Sequence, residues 1–233
     1  MINIPITKIL FLDIETVGGA PDFESFQKFY PELAYQFENY LDWFEKRFPE
    51  HKGEGPSTMF YNKAALVSEF LKIVCVSVGF VDPKGEIKMQ SFAGDDEKII
   101  LKDVQQLLKR IGKLDFHLCG HNVKGFDIPV LAKRMVMNGI LPPPILPNHD
   151  TKPWDIKALD TKELWQFGSF SSIASLELMC IGMGVESSKT MEVTGNKVHE
   201  AYWFDKKLKE ITEYCEKDVE VLINVVRKFY ELK

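Results

Sequence analysis

The sequence predicts an α/β domain in which helices flank a mixed β-sheet. Three observations support this prediction: an apolar stretch at residues 9–14, two strand-like stretches around a turn at 82–85, and a later alternation of strand-like and helix-like segments. Strands that come first and then alternate with helices are typical of layered α/β domains. Because 233 residues fit one domain, we expect a single domain over residues 1–233, with an aromatic-rich helical insertion at about residues 20–60.

The first elements follow from hydrophobic spacing. Residues 9–14 are apolar on both faces of a strand until Asp13 interrupts the pattern, which predicts a central strand. Residues 22–48 repeat large apolar side chains at helical spacing, and Pro31 suits the first turn of a second helix. This aromatic stripe consists of Phe26, Tyr30, Leu33, Phe37, Tyr40 and Phe44. The sequence Gly-Glu-Gly-Pro at 53–56 then predicts a break in the chain.

The later elements are predicted in the same way. The strand-like residues 72–80 and 87–92 flank a tight turn, which predicts that they pair as a β-hairpin. Residues 97–111 are amphipathic at helical spacing and predict a helix. The remaining predicted elements are strands at 116–119 and 156–159 and helices at 127–138, 172–183 and 205–232.

Composition restricts the classes of function. The net charge of −5 disfavours a general nucleic-acid coat protein, but not a nuclease whose acidic cleft holds metal ions. The four cysteines form no C-x-x-C pair, which predicts reduced thiols in a cytoplasmic protein. We recognise neither a signal peptide nor an apolar run of the roughly 20 residues that span a bilayer, so we expect no membrane partner. A phosphate-binding P-loop and a serine nucleophile elbow are also missing from the sequence.

The first segment that suggests chemistry is FLDIET at residues 11–16. Asp13 and Glu15 lie two positions apart on the predicted strand, so their side chains point to the same face. Acidic residues are uncommon in strands. One interpretation is a strand end with both carboxylates in solvent, before the turn at Gly18 and Gly19. The central position of the strand favours a functional role, since ligands bind at the ends of central strands in α/β sheets.

The second segment is HNVKGFD at residues 121–127. Asp127 lies at the start of a predicted helix, where an aspartate is a favourable N-cap. Capping is therefore the stronger interpretation of Asp127 from its position alone. Asn122 and Phe126 favour a functional role only in combination with the other segments.

The third segment is YCEKD at residues 214–218, on the predicted final helix. Asp218 falls on the apolar stripe of that helix, and Tyr214 lies one turn away on the same side. The stripe consists of Leu208, Ile211, Cys215, Leu222, Val225 and Phe229. A buried carboxylate needs a partner, and Tyr214 alone could supply it. Several buried carboxylates together need positive charge, which a pair of divalent metal ions would provide.

Taken together, the three segments resemble the three exonuclease motifs of the DEDD, or DnaQ-like, 3'-5' exonucleases. The Tyr-x-x-x-Asp form of the third segment resembles the tyrosine branch. The Asn-x-x-x-Phe-Asp and Tyr-Cys patterns are similar to the proofreading exonuclease domain of family B DNA polymerases. The resemblance spans Asp13 to Asp218, and the sequence ends at Lys233, so we expect a stand-alone nuclease domain.

This resemblance implies a ribonuclease H-like fold and a metal-dependent reaction. It implies that Asp13, Glu15, Asp127 and Asp218 bind two magnesium or manganese ions, which suit carboxylate ligands. Two such ions can catalyse phosphodiester hydrolysis at the 3' end of DNA. Tyr214 would orient the attacking water, because an ordinary tyrosine pKa of about 10 leaves it protonated at neutral pH.

The resemblance also indicates contacts to substrate. Thr16, Asn122 and Phe126 are candidate contacts to the terminal nucleotides, although Phe126 could instead belong to the core. The expected partner is a single-stranded DNA 3' end. RNA or short oligonucleotides are alternative substrates, and a catalytically silent binding module is an alternative function. For the aromatic segment 22–48 we favour core packing over a lid, a stacking platform for single strands or a protein contact surface.

Overall fold

The computed structural model describes residues 2–169, 175–188 and 191–232. Its strands are β1 (Ile9–Gly18), β2 (Leu71–Val81), β3 (Ile87–Ala93), β4 (His117–Gly120) and β5 (Ala158–Asp160). Its helices are α1 (Phe23–Phe29), α2 (Pro31–Asn39), α3 (Leu41–Arg47), α4 (Gly55–Lys63), α5 (Glu97–Gly112), α6 (Asp127–Met137), α7 (Thr161–Gln166), α8 (Leu176–Met183), α9 (Val198–Trp203) and α10 (Leu208–Glu231).

The strands form one mixed sheet in the order β3-β2-β1-β4-β5. β1 lies at the centre, antiparallel to β2 and parallel to β4. β2 and β3 form the predicted antiparallel hairpin, and β5 is parallel to β4. This arrangement confirms the predicted mixed sheet with flanking helices.

Side chains of β1 alternate between two hydrophobic cores. Leu10, Leu12 and Ile14 pack into the core that contains residues of α5 and α6. Ile9 and Phe11 pack into the core on the other face, which contains residues of α10 and α8. Asp13 and Glu15 continue the odd-numbered series, so the strand directs them toward the α10 side of the sheet.

Helices α1–α4 lie between β1 and β2 in the sequence and enclose a separate aromatic cluster. Phe26, Phe37 and Phe44 from the aromatic stripe are fully buried in it. The ring centroids of Phe37 and Phe44 are 4.7 Å apart, a distance typical of packed aromatic pairs. Tyr30 and Tyr40 are exposed, so core packing accounts for part of the stripe only.

Some boundaries differ from those predicted. The break predicted at Gly-Glu-Gly-Pro separates α3, which ends at Arg47, from α4, which begins at Gly55. Pro56 occupies its first turn, where a missing backbone N–H costs no hydrogen bond. The short helices α7 and α9 were not predicted, since each contains 6 residues and hardly exceeds one helical period. Helix α8 begins later than predicted, at Leu176, while residues 172–174 lie outside the described part of the chain.

Two further expectations concern the thiols and the membrane. Cys75, Cys119, Cys180 and Cys215 are free and buried, as predicted for reduced thiols. Within the described residues, no helix combines the length and the apolar character that crossing a membrane requires.

Candidate active site

The central strand and the final helix meet at Asp13. The Cys215 thiol of α10 donates to the Asp13 carbonyl oxygen at 3.4 Å and lies 3.5 Å from its Oδ2. Glu15 is buried, whereas Asp13 is partly exposed. The candidate ligand atoms of Asp13, Glu15 and Cys215 all lie within 4.8 Å of one another. The strand and the helix thus bring two of the predicted carboxylates and one thiol into a single group.

Asp127 acts on this group from the start of α6 through its charge, although the group whose ligand atoms lie within 4.8 Å contains only Asp13, Glu15 and Cys215. The N-cap of α6 is Phe126, which makes no side-chain capping bond, so the capping interpretation of Asp127 is wrong. The backbone N–H groups of Asp127 itself and of Ile14 on β1 instead interact with the buried Asp127 carboxylate and favour its ionised form. The interaction with Ile14 places this carboxylate against the strand that carries Asp13 and Glu15.

Asp218 and Tyr214 complete the predicted set from α10. The Tyr214 hydroxyl is hydrogen-bonded to the Asp218 carboxylate, and both side chains are buried. Burial, followed by the charges of Asp218 and Glu15, raises the pKa of Tyr214. Tyr214 is therefore protonated at neutral pH, as predicted, and its hydroxyl acts as a donor.

The electrostatics of the site favour bound cations. We call Asp13, Glu15, Asp127 and Asp218 the acidic cluster. Burial raises the pKa of Asp13 well above its ordinary value, and the charges of the other three members raise it further. Burial raises the pKa of Asp127 to about 7. Such shifts mean that the ionised carboxylates are costly to the protein alone, and cations would offset that cost.

The donor set suits hard divalent cations. The acidic cluster offers carboxylate oxygens, the ligands that magnesium and manganese prefer. Burial raises the pKa of the Cys215 thiol well above its ordinary value, and the nearby Cys75 raises it further. Cys215 is therefore a neutral thiol that donates to Asp13 rather than a thiolate ligand. The residues present fit two hard cations better than they fit a soft, thiolate-bound metal.

A comparison with protein families identifies the family of this chain. Residues 64–225 match a family model described as a predicted 3'-5' exonuclease related to the exonuclease domain of PolB. The chain belongs to this exonuclease family. The matched residues include Asp127, Tyr214 and Asp218, whereas Asp13 and Glu15 lie before them. Membership confirms the resemblance to the exonuclease domain of family B DNA polymerases.

A comparison with solved structures supports the fold. The family B DNA polymerase from the hyperthermophilic archaeon Pyrobaculum calidifontis has a similar fold, with a TM-score of 0.54 and 15% sequence identity. The similarity covers 98% of this chain and 24% of the polymerase chain, so this chain spans about a quarter of that protein's length. The predicted ribonuclease H-like α/β fold is thereby confirmed. A comparison with curated proteins found no match.

In this exonuclease-family chain, the three candidate substrate contacts have different surroundings. The Thr16 hydroxyl donates to the Ala65 carbonyl oxygen at 2.8 Å, and this bond ties β1 to the end of the helical insertion. Phe126 is half-buried and packs against the core on the α5 side. Asn122 is partly exposed and accepts a hydrogen bond from Lys162 at 3.1 Å. Their contacts to nucleotides stay predictions.

The sequence analysis did not predict two residues that lie near the acidic cluster. Ser188 is buried and donates a 2.5 Å hydrogen bond to Oδ1 of Asp218. Nothing in the local pattern around Ser188 indicates this contact. Asp160 is a buried carboxylate at the end of β5, and an acid at the carboxyl end of a predicted strand was a usable signal.

His199 has a structural position beside the strand that carries Asp13 and Glu15. Its Nδ1 accepts the Gly18 N–H at 3.1 Å, and its Nε2 donates to the Pro21 carbonyl oxygen at 2.9 Å. Trp203 donates its ring N–H to the Gly18 carbonyl oxygen at 3.1 Å. Helix α9 thus holds both backbone groups of Gly18, the last residue of β1. This anchoring fixes the chain where it leaves the central strand.

Proposed function

We propose that this chain is a metal-dependent 3'-5' exonuclease that releases nucleotides from the 3' end of DNA. The observation that carries the proposal is the acidic cluster, in which the charges of Glu15, Asp127 and Asp218 all act on Asp13. These carboxylates come from three distant segments, and a fold gains no stability by collecting like charges. The exonuclease family to which the chain belongs supports the same function.

The acidic cluster would hold two magnesium or manganese ions. When bound, the ions supply a water of lowered pKa and neutralise charge on the oxygen that leaves. The carboxylates of the acidic cluster act in their ionised form. They would set the position of the cations beside the scissile phosphate. Burial of the cluster strengthens its electrostatic interactions, since the surrounding dielectric constant is lower than in water.

Tyr214 has a positioning role in this proposal. Its raised pKa keeps the hydroxyl protonated, so Tyr214 is a poor general base, and its single O–H proton is donated to Asp218. The bond to Asp218 fixes the direction of the ring and hydroxyl. Tyr214 would orient a water molecule for in-line attack, in which a new water oxygen–phosphorus bond forms as the bond from phosphorus to the 3' oxygen breaks.

The substrate of this proposal is a single-stranded DNA 3' end. Thr16, Asn122 and Phe126 would contact the terminal nucleotides, and stacking on Phe126 would tolerate any base. We propose one exonuclease domain over residues 1–233, with helices α1–α4 as its insertion. The four free, buried cysteines suit a reducing compartment, so the cytoplasm is the proposed location.

The test is a degradation assay with purified protein and single-stranded DNA labelled at its 5' end. We expect a ladder of progressively shorter products with magnesium or manganese, and none with a chelator. Asp13→Asn and Asp218→Asn should abolish the ladder, whereas Asp150→Asn, at a carboxylate whose side chain is 80% exposed, should not. A ladder that persists in Asp13→Asn would contradict the proposal. Duplex DNA and RNA in the same assay define the preferred substrate.

A further inference from the structure

The loop at residues 121–126, which we call the second-motif loop, connects β4 to α6 and ends next to Asp127. Asn122 adopts a left-handed backbone conformation, with φ of 57°. Its carbonyl oxygen accepts the N–H groups of Gly125 at 2.9 Å and Phe126 at 3.0 Å. Asparagine adopts the left-handed region more readily than most residues, and the hydrogen bonds around it select this conformation in the loop. The position of Asp127 therefore depends on whatever holds this loop.

The side chain of Asp160 holds it. Asp160 is 4% exposed. It is the last residue of β5 and pairs with Gly120, the last residue of the parallel strand β4. Its Oδ1 accepts the Asn122 N–H at 2.9 Å, and its Oδ2 accepts the Lys124 N–H at 3.1 Å. Oδ1 also accepts the Lys162 N–H at 2.9 Å. One carboxylate thus binds two backbone groups of the loop and one of its own helix.

The residues that follow Asp160 add side-chain contacts to the same loop. Thr161 Oγ1 lies 2.9 Å from His121 Nδ1. Lys162 donates to Oδ1 of Asn122 at 3.1 Å. A lysine ammonium has only donors, so the atom that faces it must be the amide oxygen. The Asn122 amide nitrogen is then directed away from Lys162.

We propose that Asp160 is a positioning residue for the nuclease reaction, which holds the second-motif loop so that Asp127 and Asn122 reach their working positions. The proposal rests on the proposed function of the acidic cluster. The negative charge of Asp160 repels that of Asp127, so its contribution to the site is geometric rather than electrostatic. If the contribution of Asp160 is geometric, replacing its carboxylate should weaken metal binding by the acidic cluster. If its negative charge dominates, removing that charge should strengthen metal binding.

The test compares Asp160 variants in the full chain by manganese binding, thermal unfolding and DNA hydrolysis. Removal of a residue that orients a metal ligand typically costs 10–100-fold in metal affinity. We expect Asp160→Ala to weaken manganese binding by about 10-fold or more. Asp160→Asn keeps two of the three acceptor contacts, so it should fold and should give a smaller loss. In Asp127→Asn, the additional Asp160→Ala change should have little further effect on manganese binding, since coupled residues are not additive.

The matched control is Glu97→Gln. Glu97 is another buried carboxylate that accepts a backbone N–H, that of Ile73 at 2.8 Å, and it pairs with Arg134 at the far end of α6. Glu97→Gln should lower the unfolding temperature without changing manganese affinity at temperatures where the protein is folded. Unchanged manganese affinity in both Asp160 variants would overturn the proposal, and tighter binding in Asp160→Asn would assign the effect to charge instead.

The two proposals fail separately. If the wild-type chain binds manganese but hydrolyses no nucleic acid, the exonuclease function fails. Weaker manganese binding in the Asp160 variants would still support the positioning of Asp127. If the wild-type chain hydrolyses DNA and the Asp160 variants match it in both rate and metal affinity, the exonuclease function stands and the role of Asp160 is wrong.

Discussion

The Ser188 hydroxyl donates a hydrogen bond of 2.5 Å to Oδ1 of Asp218, and both side chains are buried. The bond orients a carboxylate of the acidic cluster from a segment that lies 30 residues away in the sequence. Hydrogen bonds to charged groups are stronger than neutral ones, especially away from water. Ser188 is therefore placed to set the direction of one proposed metal ligand.

We expect Ser188→Ala to weaken manganese binding by about 10-fold, because Asp218 loses the donor that orients it. Ser188→Thr keeps a hydroxyl and should retain more of the affinity. Ser68→Ala provides a control, since Ser68 is a buried serine in another part of the fold. Calorimetric titration with manganese measures all three variants. Equal manganese affinities in wild type and Ser188→Ala would remove Ser188 from the site.

Asp13→Asn should separate stability from activity. The other members of the acidic cluster and burial both disfavour the ionised form of Asp13. In a chelator at pH 8, the neutral amide should therefore raise the free energy of unfolding above that of wild type. The same change should abolish DNA hydrolysis. Urea unfolding measures the stability, and a destabilised Asp13→Asn protein would contradict the electrostatic description.

With manganese, wild type should become more stable than Asp13→Asn. A ligand that binds the folded state at 100 times its dissociation constant adds about 2.7 kcal/mol. Wild type should gain this stabilisation, and Asp13→Asn should gain much less of it. A gain of equal size in both proteins would place the bound manganese outside the acidic cluster.

The pH dependence of stability should reveal Asp127. Its pKa is about 7 in the folded protein and has an ordinary value of 3.8. Between these values the folded state binds more protons than the unfolded state, so stability falls as pH rises. Relative to Asp127→Asn, metal-free wild type should lose up to about 4 kcal/mol between pH 4 and 7 and change little above that range. A difference that stays constant across this range would contradict the raised pKa.

Tyr214→Phe should slow hydrolysis by about 10-fold or more and reduce manganese affinity by a smaller factor, because Ser188 still donates to Asp218. The hydroxyl donates its proton to Asp218 and would accept a hydrogen bond from the attacking water, and it is not one of the proposed metal ligands. Single-turnover rates and manganese titrations of the same preparations separate the two quantities. An unchanged rate would exclude Tyr214 from the mechanism. A loss of manganese affinity as large as the loss of rate would limit the role of Tyr214 to holding Asp218.

The acids of the site were predictable where periodicity decides orientation. Two-residue spacing on a central strand predicted that Asp13 and Glu15 share a face, and helical spacing predicted that Asp218 lies on the buried side of α10. The orientation of Asp127 could not be predicted from its own segment alone. Its position next to a helix start favoured capping, whereas its carboxylate reaches the backbone of Ile14, more than 100 residues earlier.

Other contacts carry no local signal in the sequence. The hydrogen bonds of Asp160 to the second-motif loop and of Ser188 to Asp218 join segments separated by 30 to 38 residues, and only the tertiary fold brings them together. The buried part of the aromatic stripe was predictable because packing follows helical spacing at Phe26, Phe37 and Phe44. The exposed tyrosines of the stripe obey the same spacing, so periodicity alone could not separate them from the core.

A crystal of the protein soaked in manganese tests the central claim most directly, because the anomalous scattering of manganese locates each ion. We expect two manganese ions about 3.5–4 Å apart, bound by carboxylate oxygens of the acidic cluster. Manganese found only elsewhere on the protein, with Asp13, Glu15, Asp127 and Asp218 free of any ion, would contradict the account.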